Sequence, residues 1–398
     1  MKGMKKLLAA VMAGTMLLSM TACGGAKTDG AAAGDGKDAG ASGAKSTVNI
    51  YATGSDNVRS VWEKLITDFN TNSEYKDKYE AKLQFVLSGT GAQNMRDMLV
   101  AAYKAGQTKS DFDIVDLNDT DMSVCLSQGG EGMFVKIDKS KVPNAATVKA
   151  KPVQGENVFQ PYRGTTVVLA YNSETVPTPP KTMDELVKWI KANPGRFSYN
   201  VPGTGGAGDS FVRTAIYNQI PDESALMSDD PKWEKQWDAG FAFLKDLHSS
   251  MYKSGGAILY PNKNQGTLDL LGNKEIDMCP AWADMVLSQR RAGTLPESIK
   301  IANIDPSFTG AVQSLAIPAF GSNTEGAYAV MNYMLSEQAQ KILVDDMAAI
   351  PLIDASKLDM TGVEDLATLD VSKFRTQSIG DLVTDLNKRW EQEIGSVG

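Results

Sequence analysis

Histidine is almost missing from this 398-residue chain, in which His248 is the only instance. Sites built on two or more histidine ligands are thereby excluded, and a serine–histidine or cysteine–histidine couple has one candidate partner. Cysteine is scarce too. Cys23, Cys125 and Cys279 form no C-x-x-C pair and no Cys/His cluster, which argues against a structural zinc site. Nor is there an excess of positive charge: 48 Asp and Glu face 40 Lys and Arg, and the net charge of -8 argues against a nucleic-acid binder, which needs a basic face. What is present is ordinary. Hydrophobic residues at 42% and aromatics at 8% suit a folded chain, and the length suits two domains.

The N-terminus reads as an export signal. Lys2, Lys5 and Lys6 precede an apolar stretch, Leu7 to Met20, too short to span a bilayer comfortably. It ends in Leu18-Ser19-Met20-Thr21-Ala22-Cys23, which resembles a bacterial lipoprotein box cut before the cysteine. The expectation is a signal peptide over 1–22 and a lipidated Cys23 anchoring the chain outside the cytoplasm; an ordinary signal peptide with a chance cysteine, or an uncleaved anchor, is the plainer alternative. Gly24 to Ser46 holds almost only Gly, Ala, Ser, Lys and Asp, so 23–46 reads as a flexible tether with roughly 25 Å of reach.

From Thr47 onward, short apolar runs alternate with helical patterns, the signature of an α/β chain. Strands are expected at Val48–Ala52, Leu83–Leu87 and Phe112–Leu117, each followed by a helix, giving parallel-rich sheets with polar loops at their C-terminal ends. Further strands are expected at Thr166–Tyr171, Phe197–Val201, Glu275–Pro280 and Ser314–Pro318. Helices are expected after the capping box Thr182-Met183-Asp184-Glu185, over Asp209–Gln219, along Pro231–Ser250, as a pair over Thr324–Asp346, and near Ile379–Glu393.

Gly203-Thr204-Gly205-Gly206-Ala207-Gly208 satisfies G-x-G-x-x-G literally, with Asp222 near the offset of a ribose-binding acid. Asp222 follows Pro221 rather than a strand, and nicotinamide cofactors are scarce outside the cell, so no cofactor is expected. The motif still offers backbone N–H groups to polar ligand atoms, unless Asp209 or Ser210 simply caps the helix. Thr53-Gly54-Ser55, Ser88-Gly89-Thr90 and Asn118 occupy the equivalent loops after the first three strands. Trp282 and Asp284, between a strand and a helix, are either core or a flat wall with an acceptor beside it. Tyr162 and Arg163 precede another strand, where Arg163 meets either a ligand anion or an internal acid. His248, at a helix end, reads as a dipole partner.

These pieces resemble the bacterial extracellular solute-binding proteins of ABC importers, through Ser314-Leu315-Ala316-Ile317-Pro318, Glu325-Gly326-Ala327 and Leu335-Ser336-Glu337-Gln338-Ala339-Gln340. Asn193-Pro194-Gly195-Arg196-Phe197, with Arg163-Gly164, Tyr171-Asn172, Val176 to Pro180 and Asp209 to Arg213, looks closer to the YnjB-like branch, which is similar to binding proteins for thiamine, polyamines and iron. The resemblance implies a two-lobed type II periplasmic-binding-protein fold hinged between lobe one (47–165 and 312–347) and lobe two (166–311 and 348–398). A disulfide between Cys125 and Cys279 would then lock the hinge, so both are expected as buried thiols.

The implied function is capture of a small polar solute by a monomer that delivers it to an ABC permease, with no catalysis and no metal. Thr53, Ser55, Ser88, Gly89, Thr90 and Asn118 are the expected ligand contacts of lobe one. Tyr162, Arg163, Gly206, Asp209, Ser210, Trp282 and Asp284 are those of the hinge and lobe two. The acids favour a cationic or nitrogenous solute, while Arg163 leaves an anion open. A secreted hydrolase on a similar scaffold, and a solute-sensing partner of a membrane receptor, are the alternatives.

Overall fold

Val48, Ile50 and Ala52 are buried in alternation along β1 (Ser46–Gly54), the period of two that sends successive side chains to opposite faces. A computed structural model describes residues 44–88, 94–148, 150–369 and 371–396; the expected signal peptide, Cys23, most of the tether, Gly89 and Thr90 lie outside these. β2 (Tyr79–Leu87) runs parallel to β1, from Ser46 opposite Tyr79 to Gly54 opposite Leu87. Between them, α1 (Asp56–Asn72) turns Val58, Val61, Trp62, Leu65 and Phe69 inward at helical spacing. α2 (Met95–Lys104) leads to β3 (Ile114–Leu117), which is parallel to β1 on its other side and is followed by α3 (Asp119–Gly129).

β4 (Gln160–Asn172) is buried along most of its 13 residues and serves two groups of strands. Beyond it come α4 (Met183–Ala192), α5 (Gly206–Tyr217), α6 (Asp238–His248), a hairpin of β5 (Lys253–Ser254) and β6 (Ala257–Ile258), and α7 (Lys263–Gly272). β7 (Met278–Trp282), α8 (Ala283–Arg291), β8 (Ile299–Ala302) and β9 (Gly310–Ala316) follow, then α9 (Thr324–Met334), α10 (Glu337–Met347), β10 (Ile350–Pro351) and α11 (Leu382–Trp390). The N-terminal part of β4 pairs antiparallel with β9 and β10, and through β9 joins β3, β1 and β2. Its C-terminal part pairs antiparallel with β7 and β8. Among the named strands parallel pairing is thus confined to β2–β1–β3, and the sheet as a whole is mixed.

The two largest apolar clusters among the described residues lie to either side of this division. One holds Trp62, Phe69, Tyr162 and Tyr328 around β1, α1 and α9. The other holds Phe197, Phe211, Trp237, Phe241 and Trp390 around α5, α6 and α11. Cys125 and Cys279 are buried and unpaired.

Three expectations need correction. Residues 197–201 make only a bridge between Phe197 and Met278, because Asn200 turns its side chain onto the following glycine segment instead of continuing a ladder. The long helix over 231–250 is two pieces, a tight 3₁₀ turn at Pro231–Gln236 and then α6. α5 begins at Gly206, three residues earlier than expected, so Asp209 and Ser210 lie inside it and neither caps it. At α4, Thr182 Oγ1 does accept the Glu185 N–H at 3.2 Å, but Glu185 reaches back to the N–H of Lys181.

Candidate ligand-binding cleft

In a parallel ladder all strand C-termini reach the same edge, so the segments after β1, β2 and β3 converge. Thr53, Ser55 and Ser88 line one wall of a cavity of about 410 Å3, and Asn118 stands at its end. Its opposite wall is made by Gly206 at the start of α5, by Asn264 and Gln265 of α7, and by Trp282 and Asp284 at the β7–α8 junction. The floor is β4 and β9, whose cross-strand neighbours Arg163 and Gln313 both line the cavity. A second chamber of about 490 Å3 shares Asn118, Thr165, Gly206, Trp282 and Gln313 with the first, so the two form one cleft with a neck at Trp282. Each is in the roughly 300–1,000 Å3 range of small-molecule sites.

The glycine motif is explained by packing. A Cβ at Gly208 would stand 1.9 Å from the carbonyl oxygen of Asn200, and one at Gly206 would stand 2.7 Å from the Trp282 ring. Asn200 closes the turn by accepting the Gly208 N–H and donating to the carbonyl of Gly205, both at 2.8 Å. Asp222 caps an exposed turn instead of facing this segment.

Tyr162 and Ser210 do not line either chamber. Tyr162 is fully buried behind Arg163: it accepts the Arg163 Nε–H at 3.1 Å and donates to Asp116 at 2.9 Å, and Trp62 Nε1 donates to the same carboxylate oxygen at 3.3 Å. Ser210 is buried against Thr309, whose backbone N–H it accepts at 2.8 Å. The small hydroxyl lets α5 pack on the segment entering β9. Arg163 itself is only 4% exposed, so what it offers the cavity is a guanidinium held from behind.

Burial dominates the electrostatics. It lifts the Asp284 carboxyl above the ordinary range against the opposing pull of Arg163. Asp284 accepts one long bond, 3.5 Å, from Asn57, and its other oxygen has no partner among the described residues. In the second chamber burial pushes Asp119 up to about 7 and, against the pull of Arg96, Asp121 up to about 6. Asp209 is also raised by burial, although it accepts the Gly203 N–H and the Asn387 amide, both at 2.9 Å. Arg213 beside it is pushed down by the same desolvation. Among the described residues no cluster of three metal-ligating side chains occurs, and no helix is long and apolar enough to cross a membrane.

Sequence reasoning missed Asn57, Thr165, Asn264, Gln265 and Gln313, and in the second chamber Asp119, Gln377 and Asn387. Asp119 and Thr165 are neighbours of flagged positions and were within reach. Gln377 lies in a stretch without regular structure and Asn387 on an ordinary amphipathic helix, so neither carries a local signal. His248 ends α6 with Nδ1 2.9 Å from the Tyr260 hydroxyl and lines neither chamber.

A sequence profile of the family described as bacterial extracellular solute-binding protein matches residues 64–368. Protein YnjB of Escherichia coli (strain K12) is 26% identical over 193 residues, 48% of this chain and 48% of YnjB, so the match spans about half the length of that curated relative. Among solved structures, the spermidine/putrescine ABC transporter substrate-binding protein PotD from Streptococcus pneumoniae superposes with a TM-score of 0.62 at 14% identity, covering 88% of this chain and 99% of that one. A periplasmic thiamin binding protein gives 0.60 at 16% identity, covering 88% and 95%. At such identities the likeness carries the fold, the two-lobed type II periplasmic-binding-protein architecture expected from the sequence. With more than half of the chain matched by the profile, this protein belongs to the bacterial extracellular solute-binding protein family.

Proposed function

We propose that the chain is the solute-capturing subunit of an ABC importer, which closes two lobes on a small polar solute and hands it to a membrane permease. The observation that carries this reading is the cleft itself: its walls come from the β1–β3 loops on one side and from α5, α7 and the β7–α8 junction on the other, over the β4–β9 floor. Closure of such a cleft is stabilised only by contacts that a ligand makes to both walls at once. The lobe boundaries at 165/166 and 311/312 fit this mechanics, since Thr165 and Ala311 are direct partners in the β4–β9 ladder. Two of the three crossings therefore pass through one place, and the third, at 347/348, lies just before Ile350 pairs with Gly164 of the same strand, so small backbone changes there can rotate one lobe on the other.

Thr53, Ser55, Ser88, Asn118, Arg163, Gly206, Trp282 and Asp284 are the contacts in this reading, with Asp209 in the second chamber. The buried acids favour a cationic or nitrogenous solute. A lipid on Cys23 would hold the monomer beside its permease, and no catalysis is required of it. A thermal-shift panel of cationic vitamins, polyamines, amino acids, sugars and phosphate esters tests the reading: a true solute raises the melting temperature in a concentration-dependent way. Turnover of an ester, phosphate or glycoside by the purified protein would overturn it.

A further inference from the structure

The two chambers differ in what their polar groups lack. In the second, Asp119 is 4% exposed, and neither carboxylate oxygen has a hydrogen-bond partner among the described residues. Gln377 is also 4% exposed, with both amide atoms unpartnered. The Asn387 amide nitrogen donates to Asp209 at 2.9 Å, which fixes the orientation of the group and leaves its buried Oδ1 without a donor. These residues share the chamber wall, and Ser378 Oγ ties the Gln377 segment to the carbonyl of Asp119 at 3.4 Å. With Asp119 ionised, the unmet inventory is therefore four acceptor atoms and a single donor, the Gln377 nitrogen.

Buried acceptors without donors are unfavourable in the empty protein and become favourable when a ligand supplies N–H groups. The charges around them point the same way. Asp119, Asp121, Asp209 and Asp381 line the chamber against Arg96 and Arg213, an excess of carboxylates. Arg96 donates to Asp97 at 2.9 Å and stands 4.0 Å from both Asp121 and Asp381, so it neutralises those two acids more than Asp119. A sugar or a neutral polyol brings as many acceptors as donors, and an anion brings only acceptors, so neither matches this wall. We infer that the second chamber receives a protonated amine of the solute, with Asp119 as counter-charge and Gln377 and Asn387 as its other acceptors, while the rest of the molecule passes the Trp282 neck into the first chamber.

This assignment rests on the reading of the cleft as a solute site, and the test separates the two. Calorimetry on the full-length protein would compare 1,4-diaminobutane and 4-amino-1-butanol with 1,4-butanediol and butanedioate, beside the thermal-shift panel above. The amines are expected to bind, and the diol and the diacid are not. Asp119→Asn, which keeps the shape and removes the charge, is expected to weaken the best amine by about tenfold or more. Gln377→Leu is expected to weaken it severalfold, and it gives an independent answer if Asp119→Asn does not fold. Tight binding of butanedioate or butanediol, failure of both amines to bind, or amine affinity unchanged in the variants would each overturn the assignment. If another member of the panel still binds, the solute-capture reading survives that result. If no member binds, both fall.

Discussion

Among the described residues, the first chamber leaves a single buried carboxylate oxygen, on Asp284, without a partner, whereas the second leaves a cluster of four acceptors open. In the first, the lining holds two cations, Arg163 and Lys263, and two acids, Asp56 and Asp284. In the second, carboxylates outnumber guanidiniums, and burial holds Asp119 and Asp121 away from their ordinary ionisation. A lining residue is thus not by itself evidence of contact with a ligand. An unmet buried group is stronger evidence, because its cost in the empty protein needs a reason.

The largest effect should come from what holds both chambers together. Gly208→Ala would force a methyl group onto the Asn200 carbonyl, and a loss of about 3 kcal/mol in denaturant unfolding is expected, with both chambers damaged alike. Next is the shared neck: Trp282→Ala should weaken the bound solute by about tenfold or more in calorimetry while leaving the fold intact, because the indole is only partly buried and faces both cavities. A ligand affinity that ignores Trp282 would dissolve the idea of one cleft.

Two neutralising variants then set the chambers against each other. Asp119→Asn should cost more amine affinity than Asp284→Asn, since Arg163 already acts on Asp284 and no opposing charge acts comparably on Asp119. Equal effects would erase the contrast. The smallest effect is on the empty protein. Between the ordinary carboxyl value of 3.8 and about 7, folded Asp119 keeps a proton that the unfolded chain releases, so stability falls as pH rises through that window. Lowering the pH from 7.5 to 5.5 should then stabilise the unliganded protein by about 2 kcal/mol from this group. Asp121, raised to about 6, adds in the same direction, with Arg96, Asp209, Arg213 and Asp381 as the other charges around the chamber. Asp119→Asn should flatten the profile, and a wild-type profile that rises with pH would refute the assigned ionisation.

Much of the frame was legible because it follows from periodicity. The alternation in β1, the inward stripe of α1, the capping residue of α4 and the paired helices α9 and α10 are local properties, and each appeared where expected within a few residues. The cleft was legible only in part. Ser55 and Asn118 follow strands of the parallel ladder, whose C-terminal ends reach one edge, while Trp282 and Asp284 follow β7, which pairs antiparallel with β4; reasoning from strand ends reached all four as cavity-lining residues. Tyr162 and Ser210 were expected on the same grounds and face inward instead, because strand-end position does not determine which side of the strand or helix meets the cleft.

The α/β class, the scarcity of histidine and cysteine and the polar loops after the first three strands follow from sequence, since composition and short-range pattern suffice for these. Tertiary structure alone decided which acids lose their partners. Asp119 lies 258 positions before Gln377 (377 minus 119) yet shares one wall with it and with Asn387, and the donor–acceptor balance of a buried surface exists only once distant segments have excluded water from it.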